Sequence, residues 1–239
     1  MRVDVFAQYG KVADSQLSGC VAIVVDVLRA SSTIVCAIKN GANQVIPAID
    51  PGEAAAIAYR LGVRDAVLGG ERGGVKLPGF HLGNSPLEYT PETVGNKTVI
   101  FTTTNGTSAI HSVRNADRVL IGAMINRAAV ARVAVDSGLN IVIQCAGTEG
   151  KFSADDICTA GAIVDSIAQL SQEPVEFNDL ALCSCMIYAD YKEGRADLSK
   201  THHYSRLMQL GFQEDLRFCF QEDLTDVVPK YEHGVIIKS

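Results

Sequence analysis

Short β-branched runs alternate with alanine-rich amphipathic segments from one end of this chain to the other, and that alternation restricts the fold more than any other feature of the sequence. The period-2 or wholly apolar runs predict strands at Arg2 to Ala7, Cys20 to Val25, Gln44 to Ile49, Ala66 to Leu68, Thr98 to Thr102, Arg118 to Ile121, Asn140 to Gln144 and Val235 to Lys238. Between them the spacing predicts helices over Ser31 to Asn40, Pro51 to Leu61, Thr107 to Arg114, Arg127 to Asp136, Ala154 to Leu170 and Asp179 to Tyr191; Asp50 is placed to cap the second, with Pro51 at its first position. Strands and helices in strict alternation need a parallel or mixed sheet with helices on both faces. The expected class is therefore α/β: a three-layer, mostly parallel or mixed sheet covered by helices, in two α/β lobes divided near residues 115–140, with a helical C-terminal segment.

At 239 residues and 47% hydrophobic content the chain can bury one large α/β unit or two smaller lobes. A formal charge of −6 argues against sequence-independent nucleic-acid binding, which needs a surplus of Lys and Arg to displace counterions. An anionic ligand must then rely on locally placed cations. Seven cysteines, mostly inside apolar runs, read as buried reduced thiols, and Cys183-Ser-Cys185 lacks the second pair that a structural zinc site requires. No run reaches the roughly 20 apolar residues of a membrane span, and the amino terminus has no signal-like apolar stretch, so the expected location is the cytoplasm.

Two stretches break the rhythm. Gly69 to Pro91 is glycine- and proline-rich without periodicity, a long irregular loop of the kind that usually carries function. From Asp179 onward the chain turns helical and more charged, with Tyr188 to Thr201 as an exposed connection; this tail could be a helical cap or a two-fold interface between copies.

Three times a strand delivers a small polar loop that opens a helix: Asp26-Val-Leu-Arg-Ala-Ser-Ser-Thr33, Thr102-Thr-Thr-Asn-Gly-Thr107, and Cys145-Ala-Gly-Thr-Glu-Gly150 leading to Ser153-Ala-Asp-Asp156. Parallel strands bring such loops to one sheet edge, where hydroxyls, freed amides and helix N-termini make a cradle for oxyanions. Phosphate-ester hydrolysis there would need charge neutralisation, a nucleophile and help for the leaving alkoxide, all of which carboxylates with Mg²⁺ can supply. Asp26, Glu71, Asp155 and Asp156 are the acids at loop or helix-start positions, Asp26 foremost, although it could also serve as a helix cap. Arg29 and Arg72 suit fork-like recognition of an anion. Among the histidines, His81 in the irregular loop could protonate a leaving group, His111 packs on a helix face, and His202-His203 reads as surface. No P-loop signature is present, Cys145 is followed by Lys151 where a thiol phosphatase needs arginine, and Leu28 occupies the place of the haloacid-dehalogenase general acid.

Taken together, Val25 to Thr33 (VDVLRASST), GGERGG from Gly69, GFHLGNSP from Gly79 to Pro86 and FTTTNGT from Phe101 to Thr107 resemble the 2-phosphosulfolactate phosphatase family, with Gln144 to Gly147 and Ser153 to Asp156 extending the likeness. The resemblance implies a Mg²⁺-dependent hydrolase that releases phosphate from 2-phospho-3-sulfolactate, a step towards coenzyme M or sulfolactate. It marks Asp26, Arg29, Ser31, Ser32 and Thr33 as a first phosphate loop, Glu71 and Arg72 as a second, Asn84 and Ser85 as a third, and Thr103, Thr104, Asn105 and Gly106 as a fourth. Mg²⁺ would be held by Asp26 with Glu71 or Asp155, and Arg29 and Arg72 would clamp the substrate anions. His81 departs from the acidic residue expected in the GFDLGNSP segment of relatives. Attack by water and attack by Asp26 through an aspartyl phosphate both remain open, as do a phosphatase acting on another small phosphorylated hydroxy acid and a non-catalytic binding protein for such a metabolite.

Overall fold

The computed structural model describes residues 1–62 and 66–239. Eleven strands form one sheet: β1 (Arg2–Phe6), β2 (Cys20–Val25), β3 (Gln44–Pro47), β4 (Ala66–Arg72), β5 (Val75–Lys76), β6 (Thr98–Thr102), β7 (Arg118–Gly122), β8 (Asn140–Cys145), β9 (Glu176–Phe177), β10 (Pro229–Glu232) and β11 (Val235–Lys238). The helices are α1 (Ala30–Lys39), α2 (Pro51–Leu61), α3 (Pro91–Val94), α4 (Gly106–Ser112), α5 (Arg127–Asp136), α6 (Ala154–Leu170), α7 (Asp179–Lys192), α8 (His202–Gln209) and α9 (Gln213–Cys219). Six predicted helices and eight predicted strands are present, with ends shifted by a few residues.

The sheet order is β5-β4-β6-β3-β11-β10-β7-β2-β8-β1-β9. Two parallel blocks, β4-β6-β3 and β7-β2-β8-β1-β9, are joined by the C-terminal hairpin β10–β11, which pairs antiparallel with β7 on one side and β3 on the other. The N-terminal strands β1 and β2 thus share a block with β7 and β8. The hairpin makes the two blocks one sheet.

β2 explains the layering. Its six residues are all buried, because alternate side chains enter different cores: Val21, Ile23 and Val25 meet α5, α6 and α7, whereas Cys20, Ala22 and Val24 meet α1 and α4. A strand covered on both faces has no polar side to expose, hence its continuous apolar run. Asp50 caps α2 as expected, its Oδ1 accepting from the Glu53 amide at 2.8 Å.

Two local expectations are corrected, and two short strands were not anticipated. β4 continues to Arg72 and turns tightly into β5, so the start of the supposed loop from Gly69 is sheet; Gly73 and Gly74, both with positive φ, form the two-residue turn between the paired Arg72 and Val75, the conformation such hairpins demand. Helix α7 runs through Tyr188, which is buried, so the exposed connection begins only after Lys192. The short strands β9 and β10 lack enough apolar residues to announce themselves.

Candidate functional site

The C-terminal ends of β2, β4, β6 and β8 deliver four loops to one cavity, as expected for an α/β sheet. Asp26 and Leu28 come from the first, Glu71 with Gly73 and Gly74 from the second, Thr104 and Asn105 from the third, Thr148 and Glu149 from the fourth. Asn84 adds to one wall. Helix α8 contributes His203, Arg206 and Leu207, which lie three and four residues apart and therefore on one helical face.

Asp26 follows immediately on β2, an interior strand between β7 and β8, and is buried. Burial pushes its carboxyl up to about 7; the neighbouring His203 opposes the rise, Glu71 and Asp155 add to it, and the Ala30 amide, which donates to the carboxylate, lowers it. Helix α4 reaches this group because it begins with glycine: a Cβ on Gly106 would lie 2.5 Å from the Ala30 Cβ and 2.7 Å from Asp26 Oδ2.

Most of the other residues marked by the sequence hold the loops together. Ser31 Oγ accepts from the Asp26 amide at 3.2 Å, Ser32 Oγ donates to Val27 O at 2.9 Å, and Thr33 Oγ1 donates to Asn84 O at 3.0 Å. Thr103 Oγ1 accepts from the Thr107 amide. Glu71 accepts from the Thr104 amide at 2.7 Å, the Thr104 hydroxyl at 3.0 Å and the Gly74 amide at 2.6 Å, so it ties the β4 turn to the β6 loop. Asp156 accepts from the amides of Val27 and Gly147, joining the loops after β2 and β8; burial, then Asp155 and Asp26, raise its pKa.

Neither expected arginine is a free clamp. Arg29 is buried, with Nη1 donating to Asp215 Oδ2 at 2.7 Å, Nη2 donating to Gly74 O at 2.8 Å, and the guanidinium stacked on the Phe212 ring at 3.8 Å. Ser85 Oγ donates to the other Asp215 oxygen at 2.6 Å. Arg72 donates to Glu71 O, Ile49 O and Thr102 Oγ1 and does not line the cavity. His81 is exposed and accepts from the Leu68 amide through Nδ1 at 3.0 Å, outside the cavity wall, whereas His111 packs edge-on to Tyr231.

His203 corrects the surface reading of the His202-His203 pair. His202 is exposed, but one residue later the ring turns inward and its Nδ1 lies 3.0 Å from Asp155 Oδ2. Asp155 is fully buried, and its other oxygen accepts from Ser153 Oγ at 2.5 Å. Burial alone would lower the His203 pKa; the Asp155 hydrogen bond and charge, with Asp26 beyond, outweigh it and raise the value. The Asp155 carboxylate holds a proton on Nδ1 and leaves Nε2 for the cavity. The signal for this in the sequence was the spacing of His203, Arg206 and Leu207 at i, i+3 and i+4.

The expected carboxylate set for a metal is also revised. Asp155 is committed to Ser153 and His203, Glu71 is saturated, and among the described residues no three His, Cys, Asp or Glu side chains come together as a ligand set. Two buried oxygen donors that line the cavity without a side-chain partner are Asp26 and Asn84, whose Oδ1 has no hydrogen-bond partner. One carboxylate and one amide oxygen fit Mg²⁺, which binds few protein ligands and completes its octahedron with water and phosphate oxygens.

A model of the 2-phosphosulpholactate phosphatase family matches residues 7–234. The chain is 43% identical over 237 residues to a protein named probable 2-phosphosulfolactate phosphatase from Caldanaerobacter subterraneus subsp. tengcongensis, covering 99% of this chain and 98% of the relative. Proteins of the same name from Symbiobacterium thermophilum and Clostridium novyi are 42% and 37% identical, over 93% and 100% of this chain and 95% and 100% of theirs.

Proposed function

Because the chain belongs to the 2-phosphosulfolactate phosphatase family, we propose that it is a phosphoric monoester hydrolase releasing inorganic phosphate from 2-phospho-3-sulfolactate, with the phosphoryl group bound over Asp26. The observation that carries this reading is the Asp26 carboxyl itself: buried at the end of β2, without a side-chain partner, and facing a cavity bounded by four strand-end loops.

In this reading Asp26 and Asn84 Oδ1 would hold Mg²⁺. When bound, the ion supplies charge neutralisation on the phosphoryl oxygens and polarises water. The charges of Glu71 and Asp155 oppose ionisation of Asp26, and a divalent cation beside Asp26 would favour its carboxylate form. Thr104 and Asn105 from the loop after β6, with the Gly73-Gly74 turn opposite, border the space for the phosphoryl oxygens. His203, protonated and oriented by Asp155, gives a proton from Nε2 to the departing alkoxide oxygen of the substrate, so that an alcohol leaves. Water attacks phosphorus; direct attack by Asp26 is a second route, supported by the same carboxylate, which has no side-chain partner.

The test is phosphate release by the purified chain with Mg²⁺ from 2-phospho-3-sulfolactate and from a panel of small phosphomonoesters. We expect turnover, and a fall of about 10³-fold or more in kcat for Asp26→Asn without loss of thermal stability. Binding in calorimetry with no release from any ester would instead make the chain a binding protein, and a preference for an ester lacking the sulfonate would move the substrate to another hydroxy acid. Stereochemistry at a chiral, isotopically labelled phosphoryl group separates the two routes, because direct attack by water inverts configuration at phosphorus and two displacements through an aspartyl phosphate retain it.

A further inference from the structure

The cavity over Asp26 is small, about 40 Å³ or roughly three waters, and open on one side, so a three-carbon ester bound there by its phosphoryl group extends out of it. Beside it lies a wider cleft of about 460 Å³, and the two share Thr148, Glu149 and His203 as a common wall. A substrate with its phosphoryl group in the cavity must carry its remaining anions past that wall.

Arg206 lines the small cavity beside that wall, paired with Glu149 of the wall itself. From α8 its Nη1 donates to Glu149 Oε1 at 2.7 Å and its Nη2 donates to Gly73 O at 3.3 Å. Both members of the ion pair are substantially open to solvent, at 39% and 54% exposure, so the pair contributes little to folding and exchanges readily. Arg29, the other arginine lining the cavity, is locked to Asp215. Glu149 sits at the tip of a two-residue turn closed by Thr148 and Lys151, with positive φ at both Glu149 and Gly150, which presents its carboxylate to the guanidinium. A guanidinium fork held by a solvent-exposed internal carboxylate can exchange it for a substrate oxyanion of matching geometry.

We propose that Arg206 reads a non-transferred anion of the substrate, sulfonate or carboxylate, and that Glu149 occupies its guanidinium until that anion arrives. The inference rests on the phosphatase reading above and names the group that gives it selectivity. Arg206→Gln and Glu149→Gln in the full chain, with Mg²⁺, are compared on three esters: 2-phospho-3-sulfolactate, 2-phospholactate, which lacks the sulfonate, and isopropyl phosphate, which has neither anion. Arg206→Gln is expected to lower kcat/KM for phosphosulfolactate by about 10- to 100-fold, chiefly through KM, as loss of charge-assisted hydrogen bonds predicts, and isopropyl phosphate by far less. A parallel fall for phospholactate assigns the carboxylate to Arg206; a fall confined to phosphosulfolactate assigns the sulfonate. Glu149→Gln should lower KM for phosphosulfolactate, and Arg206→Lys, which keeps charge and packing, should lose less than Arg206→Gln. Equal losses on all three esters, or none on any, would overturn the assignment. Should the wild-type chain hydrolyse none of them, the proposed reaction fails, and calorimetric binding of phosphosulfolactate to wild type and Arg206→Gln still decides the role of Arg206: equal affinities overturn it and a weaker variant supports it.

Discussion

The loop after β2 and the helix α8 each bring an arginine to the same cavity, and the two arginines have opposite environments. Arg29 is buried against Asp215, Gly74 O and the Phe212 ring, so its charge is neutralised within the fold. Arg206 keeps solvent access and a weak, exchangeable partner. The same contrast separates their neighbours: Ser31, Ser32 and Thr33 bond to backbone groups of their own and adjoining loops, whereas His203 leaves one nitrogen for the cavity. Polar residues crowded at a strand end first satisfy the backbone that the turn exposes; what remains for a ligand is whatever the fold has not already paired.

The largest effect should come from breaking the buried partner of Arg29. Asp215→Ala leaves an unpaired guanidinium and a free Ser85 hydroxyl in the interior, and denaturant unfolding should register a loss of about 3–5 kcal/mol; a variant as stable as wild type would put Arg29 back among candidates for ligand binding. Next, His203→Asn is expected to lower kcat on alkyl phosphates by about 10²- to 10³-fold but to spare p-nitrophenyl phosphate, whose leaving group needs no proton. His202→Asn, at the exposed neighbour, serves as the control. Equal losses on both ester types would deny His203 the proton.

Metal linkage gives a smaller, pH-dependent signal. Asp26 rises from 3.8 to about 7 on folding, so its contribution to stability is present below 3.8 and is lost as pH rises through about 7, where the ionised carboxylate becomes a burden in the absence of a cation. Added MgCl₂ should therefore raise Tm progressively more as pH increases through that window, and should do so little in Asp26→Asn. A shift independent of pH would place the ion elsewhere. The smallest effect expected is that of Ser32→Ala, about 1 kcal/mol of stability from the lost bond to Val27 O, with turnover per folded molecule unchanged; a large kinetic defect would return Ser32 to the phosphate loop.

The residues that were legible in advance are those whose signal is local. The apolar run Cys20–Val25 could only be a strand covered on both faces, and Asp26 stood at its carboxyl end. β10 was not legible, because a strand wedged between two blocks of a sheet is defined by its neighbours β7 and β11 rather than by its own composition. The metal set of Asp26, Glu71 and Asp155 failed for the same reason: each acid lay at a suitable loop, but only the assembled fold shows that Thr104 and Gly74 claim Glu71 and that His203, 48 residues away from Asp155 in sequence, claims Asp155.

By itself, then, the sequence determined the alternation of strands and helices, the loops that gather at the carboxyl edge and the acid at the end of β2, since periodicity and turn chemistry act over a few residues. The tertiary structure alone decided which polar groups are satisfied by each other and which stay available, because burial and hydrogen-bond pairing are set by contacts between segments more than a hundred residues apart, as with Arg29 and Asp215.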